Sequence, residues 1–485
     1  MRKKSNLNSI LFIAVLLFIF VPGCQNRTKK NNTIVGTAQP DKQKDLGTIL
    51  ADSKLTILVE NTANSYFIYR GQKMGMEYEI LNEFAKDLGV KLEVKIVKDL
   101  DDIIHKLNTG EGDLISCNYT VTKERKKEID FSTPYIRSSQ VLIQRKPEGW
   151  KKMHRRKWKA ALIQDPVQLS RKTIHVWKNS SYYDRIVNLQ NELGDTIFLK
   201  PLKGNIIPED VMNMVSKGFI DYTVVDKNVA AVNKRYYPNI DASLELSVRQ
   251  RIAFGVRKKS PLLRKRLNSW LTDYMKTSSF SYIRHKYLNT SRYSSQSRSE
   301  YSSIGGTKIS PYDDIIKQVC ERYGWDWRLI AAMIYQESKF KTQQESWAGA
   351  YGLMQFMPTV GPTFNVYPDS PPAVQIDGGI RKIIKNFKEW KSIPDSIQRV
   401  KFAFGTYNAG IGHVLDAQRL AKKFGKDPLV WDNNVEEYIY KLSKPKFYHD
   451  PVCYYGYLRG SETYNYVRSI FIRYNEYRTG FPIDS

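Results

Sequence analysis

The sequence predicts an α/β domain followed in series by a mainly α-helical domain. Three observations lead there. Residues 54–275 alternate short β-rich runs with helical patterns, as a largely parallel sheet with crossover helices requires. Residues 291–306 are rich in Ser and Gly with little to bury, which reads as a linker. From Pro311 onward helical periodicity dominates, broken by Gly and Pro, with no run of alternating strands. The 485 residues fit about three compact units at roughly 150 residues each. A hydrophobic content of 41% with 26% charged residues excludes a wholly disordered chain. There is no internal repeat.

The elements follow in order from the N-terminus. Arg2, Lys3 and Lys4 precede an unbroken apolar run over residues 10–21, then Pro22, Gly23 and Cys24. The run is shorter than the ~20 residues a spanning helix needs and suits the core of a signal peptide. A small residue before Cys at its end resembles a lipobox, which makes Cys24 the expected lipidation site and mature N-terminus. Pro22 and Val21 depart from the commoner residues there; the alternatives are a plain cleaved signal peptide or an uncleaved anchor. Each of these exports the chain, so nucleic acid is not the expected partner of a net charge of +27. A membrane surface or an acidic cell-wall polymer is. The expectation is a membrane-anchored lipoprotein facing the periplasm, held in the outer membrane. Residues 1–24 are then the signal peptide and 25–53, polar and poor in large apolar side chains, the tether. Cys117, Cys320 and Cys453 cannot all pair internally and lack metal-ligand spacing. Two of them form one disulfide or, the preferred reading, all are small buried side chains. No metal or cofactor is expected.

In the first module, 54–276, residues 55–59 read as a strand, 78–88 as a helix ended by Gly89, 91–97 as a strand and 100–107 as a helix. Several short motifs follow one another: Gly75-Met76-Glu77-Tyr78-Glu79-Ile80, Gly112-Asp113-Leu114, Thr120 to Arg125, Asp130-Phe131-Ser132-Thr133-Pro134-Tyr135, and Phe219 to Asp226. In this order they resemble the family 3 periplasmic solute-binding proteins that capture amino acids. The resemblance implies two lobes joined by crossing strands, expected at 140–144 and 251–256, with a small amino acid or peptide bound between them. It implies that Arg125 grips a carboxylate with a two-pronged hydrogen bond, that Thr120 and the backbone near Asn118 add donors, and that Asp226 faces the ammonium. Asn118 stands where many members have Gly. A surface ion pair of Arg125 with Glu128 or Asp130 is the alternative. Residues 145–159 hold eight Lys or Arg, one Glu, and Trp150 and Trp158; a solvated, charged insertion is preferred over a contact with an anionic surface.

Residues 277–309 read as a connecting helix and Ser-rich linker, and 310–485 as the second module. Residues 325–338 form a helix apolar nearly all round, hence buried. It ends in Glu337-Ser338. Desolvation and the negative helix end both favour a protonated Glu337, as a general acid needs. Alone, such a Glu simply points into water. Its neighbours are the Gly-rich turn of residues 349–358, read as leading into a helix with Pro358 near its first turn, then Thr406-Tyr407-Asn408-Ala409-Gly410, then Glu462-Thr463-Tyr464-Asn465-Tyr466-Val467. The order Glu-Ser, Gly-Leu-Met-Gln, Tyr-Asn-Ala-Gly, Glu-Thr-x-x-Tyr-Val resembles the soluble-type lytic transglycosylase family. Phe356 and Thr406 depart from it without replacing a proton-transfer group.

That resemblance implies a lysozyme-like helical fold acting on peptidoglycan. It implies cleavage of the β-1,4 bond between N-acetylmuramic acid and N-acetylglucosamine, with Glu337 as acid and then base, and a 1,6-anhydro product. Ser338, Met354, Gln355, Tyr407, Asn408 and Tyr466 are its expected substrate-binding shell. Core packing for Tyr466 and helix capping for Asn408 are their alternatives. The fusion suggests that a ligand in the first module regulates cleavage. A receptor that only holds glycan and a lysozyme-type hydrolase are the competing readings; the latter needs a second carboxylate.

Overall fold

The structure is a computed structural model, and it describes residues 44–202, 206–234, 236–346 and 348–482. The signal peptide, Cys24 and the tether up to residue 43 lie outside them.

The first module has two sheets. One runs in the order Lys91–Ile96, Lys54–Val59, Leu114–Ser116, Gly255–Val256, Asp130–Phe131. Its first three strands are parallel, with Leu55 opposite Leu92 and Val59 opposite Ile96. The other runs Phe198–Pro201, Thr173–Val176, Tyr222–Asp226, Gln140–Arg145, Ile240–Asp241. Val, Ile and Leu dominate the central strands because both faces are covered. The expected helix at 78–88 starts earlier, at Met76, because Gly75 allows φ 132 there. A Cβ on Gly75 would lie 2.1 Å from the Ser65 carbonyl oxygen. The expected helix at 100–107 divides into a 3-10 turn, Leu100–Asp102, and an α-helix, Ile103–Asn108.

The lobes are joined by Ile136–Ser138 paired antiparallel with Gln250–Ile252. The crossing therefore precedes residues 140–144, which belong to the central part of the second sheet.

Two expectations about connecting segments need correction. Residues 44–53 are not tether. Asp45 caps the helix Leu46–Ala51 and accepts from the amides of Leu262 and Leu263, at 3.1 and 2.8 Å. The Lys44 carbonyl accepts from Arg257 and Ser260, at 3.0 and 2.7 Å. Nor is the Ser-rich stretch short of partners. Residues 291–297 are helical, and Ser302 and Ser303 are buried. The Ser303 amide donates to Ile68 O of strand Phe67–Tyr69 at 2.9 Å, and its hydroxyl accepts from Ile68 N–H at 2.9 Å and donates to Asn61 Oδ1 at 2.7 Å. An edge strand needs backbone partners, which apolar content does not report.

The second module is helical, built on Asp313–Tyr323, Trp327–Ser338, Pro372–Glu389, Ser396–Ala409, Ile411–Lys423, Glu436–Lys441 and Gly460–Gly480. Residues 328–334 of the second helix are all buried, as its apolar circumference requires. The turn after residue 349 does not open an α-helix at Pro358. It closes on itself through paired Tyr351 and Phe356, passes through the 3-10 turn Gly361–Phe364, and stops at Asn365, φ 56. The next α-helix begins with Pro372 at its first turn.

One hydrophobic core runs through the first lobe and the helical module. It joins Phe67, Ile68 and Phe84 to Ile304, Ile309, Leu329, Tyr477 and Phe481. Each such fully buried side chain contributes about 1.5–3 kcal/mol. The second lobe keeps separate cores on its sheet's two faces.

Candidate active site

Glu337 occupies the last turn of helix Trp327–Ser338, which Lys339 ends in a left-handed conformation, φ 53. The carboxyl is half-buried, and the Tyr466 hydroxyl donates to its Oε1. Burial pushes its pKa up to about 7; the Tyr466 hydrogen bond and the Lys382 charge pull it down, and Glu462 adds a smaller upward push. Tyr466 projects from the long helix Gly460–Gly480, packed against the Glu337 helix.

The other expected residues organise the surrounding backbone. Ser338 is buried, and its hydroxyl donates to Leu353 O at 2.9 Å and lies 3.2 Å from Ile334 O. This fastens the helix to the Gly-rich turn. Tyr407 donates to the Met354 carbonyl at 2.8 Å. Met354 is buried against Gly379, where a Cβ would meet its side chain at 2.4 Å. Gln355, held at φ 46, donates to Gln344 O and Gly352 O, both at 2.9 Å. Asn408 Oδ1 accepts from Thr463 Oγ1 at 2.7 Å, linking two helices instead of capping one. Of the expected shell, only Tyr466 hydrogen-bonds Glu337 among the described residues.

Two charged neighbours were missing from that expectation. Lys382, on helix Pro372–Glu389, places its ammonium 3.5 Å from the Tyr407 ring centroid. Burial lowers its pKa to about 8, against the raising effect of Glu337. The available signal was a lysine three and four residues after Gly379 and Gly378, on a buried helix face. Glu462, exposed, lies one turn before Tyr466 and stands in a quoted motif.

Of the first module's expected residues, the structure brings Asn118 and Asp226 together across the lobes. Asn118, at φ 54, donates from Nδ2 to Asp226 at 2.7 Å and accepts from Asn228 at 2.6 Å. Tyr182 donates to the same Asp226 oxygen at 2.9 Å. Burial lifts the Asp226 pKa to about 7, opposed by the Tyr182 and Asn118 hydrogen bonds. Beneath them Glu77, buried and with its pKa raised by burial to about 7, accepts from the Asn118 amide at 2.9 Å and from Tyr135. Arg125 lies over the Tyr119 ring at 3.8 Å and donates to Thr120 O at 2.9 Å. Asp130 pairs instead with Arg264. Asn228, Tyr182 and Glu77 had no assigned role in the sequence reading. A cavity of about 560 Å³ opens between the lobes, lined by Glu60, Asp99, Trp177, Asp210, Gly305 and Thr479 and by none of the expected ligand residues.

Comparison with known proteins matches both modules. Residues 55–290 match bacterial extracellular solute-binding proteins, family 3, and residues 314–430 match the transglycosylase SLT domain. An ancestral arginine-binding protein bound to arginine shares 24% identity at a TM-score of 0.41, covering 49% of this chain and 99% of its own. The membrane-bound lytic murein transglycosylase F of Stutzerimonas stutzeri is 28% identical, over 89% of this chain and 86% of its own. That of Desulfosudis oleivorans is 33% identical, over 89% of this chain and 91% of its own. With both modules matched in order and nearly the whole length covered, the chain belongs to the membrane-bound lytic murein transglycosylase F family.

Proposed function

We propose that this enzyme cleaves the β-1,4 bond between N-acetylmuramic acid and N-acetylglucosamine of peptidoglycan without water. Glu337 protonates the leaving N-acetylglucosamine oxygen as the bond to muramyl C1 breaks. The resulting carboxylate then takes the proton of the muramyl C6 hydroxyl, whose oxygen closes on C1. The product carries a 1,6-anhydro end, and Glu337 is protonated again. One observation carries this reading: Glu337 is half-buried beside Tyr466, with a pKa near 7 that suits both donation and recovery of a proton. Ser338, Met354, Gln355, Tyr407 and Asn408 shape the cleft by fixing its backbone.

Hydrolysis is the second reading, and Glu462 is the observation that favours it. Hydrolysis requires a second carboxylate, and Glu462 is the one whose charge reaches Glu337. Digesting purified peptidoglycan with the chain from residue 25 onward, followed by mass spectrometry, tests the two. Products lighter by one water than hydrolytic muropeptides support the first; hydrated ends overturn it.

The clamp of Asn118, Thr120, Arg125 and Asp226 binds an amino acid or wall peptide that adjusts cleavage. Its support is Asp226, whose Oδ2 is held by Asn118 and Tyr182 while its buried Oδ1 has no hydrogen-bond partner among the described residues and is left for a ligand ammonium. Cys24 carries the lipid that holds the enzyme to the membrane on the periplasmic side. Equal cleavage rates with and without saturating ligand would dismiss the regulatory part, and an unmodified Cys24 in the membrane fraction the anchor.

A further inference from the structure

Among the described residues Lys382 is the one cation whose charge acts on the Glu337 carboxyl, and the proposed reaction gives it no task. Its side chain crosses from helix Pro372–Glu389 to the face of Tyr407, 3.5 Å from the ring centroid, with Phe356 at 5.7 Å. Among the described residues the ammonium forms no ion pair and donates no hydrogen bond, although it is only half-exposed. A desolvated ammonium resting on a ring face is held there by the ring quadrupole. Its strong donors remain unspent, and it carries its positive charge near the proton-transfer centre below its lowered pKa of about 8.

The groups facing Glu337 come from three other helices. Ser396–Ala409 supplies Tyr407, whose proton burial and Glu337 hold in place. Gly460–Gly480 supplies Tyr466, as donor, and Glu462, as a like charge. Pro372–Glu389 supplies Lys382, the only opposite charge among those acting on Glu337. Tyr407 fixes that charge while its hydroxyl is tied to Met354 O.

We propose that Lys382 is a positioning residue for the reaction: its ammonium, seated on the Tyr407 ring, is the counter-charge of the Glu337 carboxylate between proton donation and proton recovery. Glu337 begins neutral, so the attraction is weak in the ground state. The attraction reaches its full strength only after the proton has moved to the leaving oxygen and Glu337 is charged. An interaction that strengthens along the reaction lowers the barrier, as uniform binding does not. Lys382 itself exchanges no proton, so the atom balance of the step is unchanged. The inference rests on Glu337 being the acid, and its test separates the two claims.

The test is the pH profile of single-turnover cleavage of purified glycan strands by the chain from residue 25 onward, with products weighed. K382M removes the charge and keeps an unbranched side chain. It is expected to slow cleavage at the plateau roughly tenfold or more. Its alkaline limb, where Glu337 loses its proton, moves to higher pH, because the charge that favoured the carboxylate is gone. K382R, which keeps the charge, restores the limb to its wild-type position. K382Q repeats the neutralisation if K382M does not fold. A slower enzyme with an unmoved limb shows a structural role and overturns the proposal, as does an unchanged rate. Failure of all three variants to fold makes Lys382 a packing residue and overturns it too. Hydrated products would refute the water-free route while leaving the limb to decide the role of Lys382.

Discussion

The backbone of Gly71 packs against the ring of Tyr335, two residues before Glu337 on the same helix. A Cβ on Gly71 would lie 2.6 Å from both the Tyr335 ring and the Tyr477 hydroxyl. Gly71 turns the hairpin of Phe67–Tyr69 and Gln72–Met74, which leads directly into the helix bearing Glu77 under the clamp. Beside it Lys73 pairs with Glu476 at 2.6 Å. The hairpin thus touches the helices of both Glu337 and Tyr466. G71A places a Cβ in that contact at φ 74. It should cost about 1–2 kcal/mol of stability, seen as a lower melting temperature, and weaken any effect of clamp ligands on cleavage rate.

Replacing the acid should be decisive. E337Q keeps the size of the side chain and removes its proton chemistry. Cleavage of purified sacculi should fall by roughly 10²-fold or more, with folding unchanged by circular dichroism. Full activity in E337Q would reject Glu337 as the acid.

Y466F removes the hydrogen bond that favours the Glu337 carboxylate. Without it the Glu337 pKa rises further. The alkaline limb of the rate profile should move to higher pH, in the same direction as for K382M, with a lower plateau. An unmoved limb would mean that Tyr466 only packs.

Glu462 separates the two reaction courses. If water is not the nucleophile, E462Q should retain most of its activity and still release anhydro ends. If hydrolysis is the reaction, E462Q should lose cleavage almost completely. The measurement is the same product mass spectrum, taken on both proteins.

Stability should fall as pH rises. Burial raises the pKa of Glu60 to about 8 and of Glu77, Asp226 and Glu337 to about 7. Above their unfolded values, near 4, the folded chain holds more protons than the unfolded chain, so stability declines with pH through the window up to about 8. The melting temperature should be higher near pH 5.5 than near pH 8. E77Q should flatten that dependence, as differential scanning calorimetry would register.

What was legible in the sequence was what spacing encodes. The apolar circumference of residues 325–338 gave a buried helix with Glu337 at its end, and the β-rich alternation gave the two-sheet module once the solute-binding resemblance was added. Lys382 stayed hidden because a lysine on a helix usually faces water, and this one lies over the Tyr407 ring of a distant helix. Asp226 and Asn228 meet Asn118 through the approach of two lobes, which no local pattern records. The Ser-rich stretch misled because composition counts side chains, whereas its docking on Phe67–Tyr69 uses backbone groups and the short hydroxyl of Ser303.

The continuous core decides which part of the molecule is the mount and which the jaw. The first lobe shares its interior with the helical module, from Phe67 to Tyr477, so those two turn as one block. The second lobe has interiors of its own, and it meets that block at the paired strands Ile136–Ser138 and Gln250–Ile252 and at Val232, which joins the shared core. A bite taken on a ligand is therefore expected as a swing of the second lobe against an anvil, and the anvil is the part that holds Glu337.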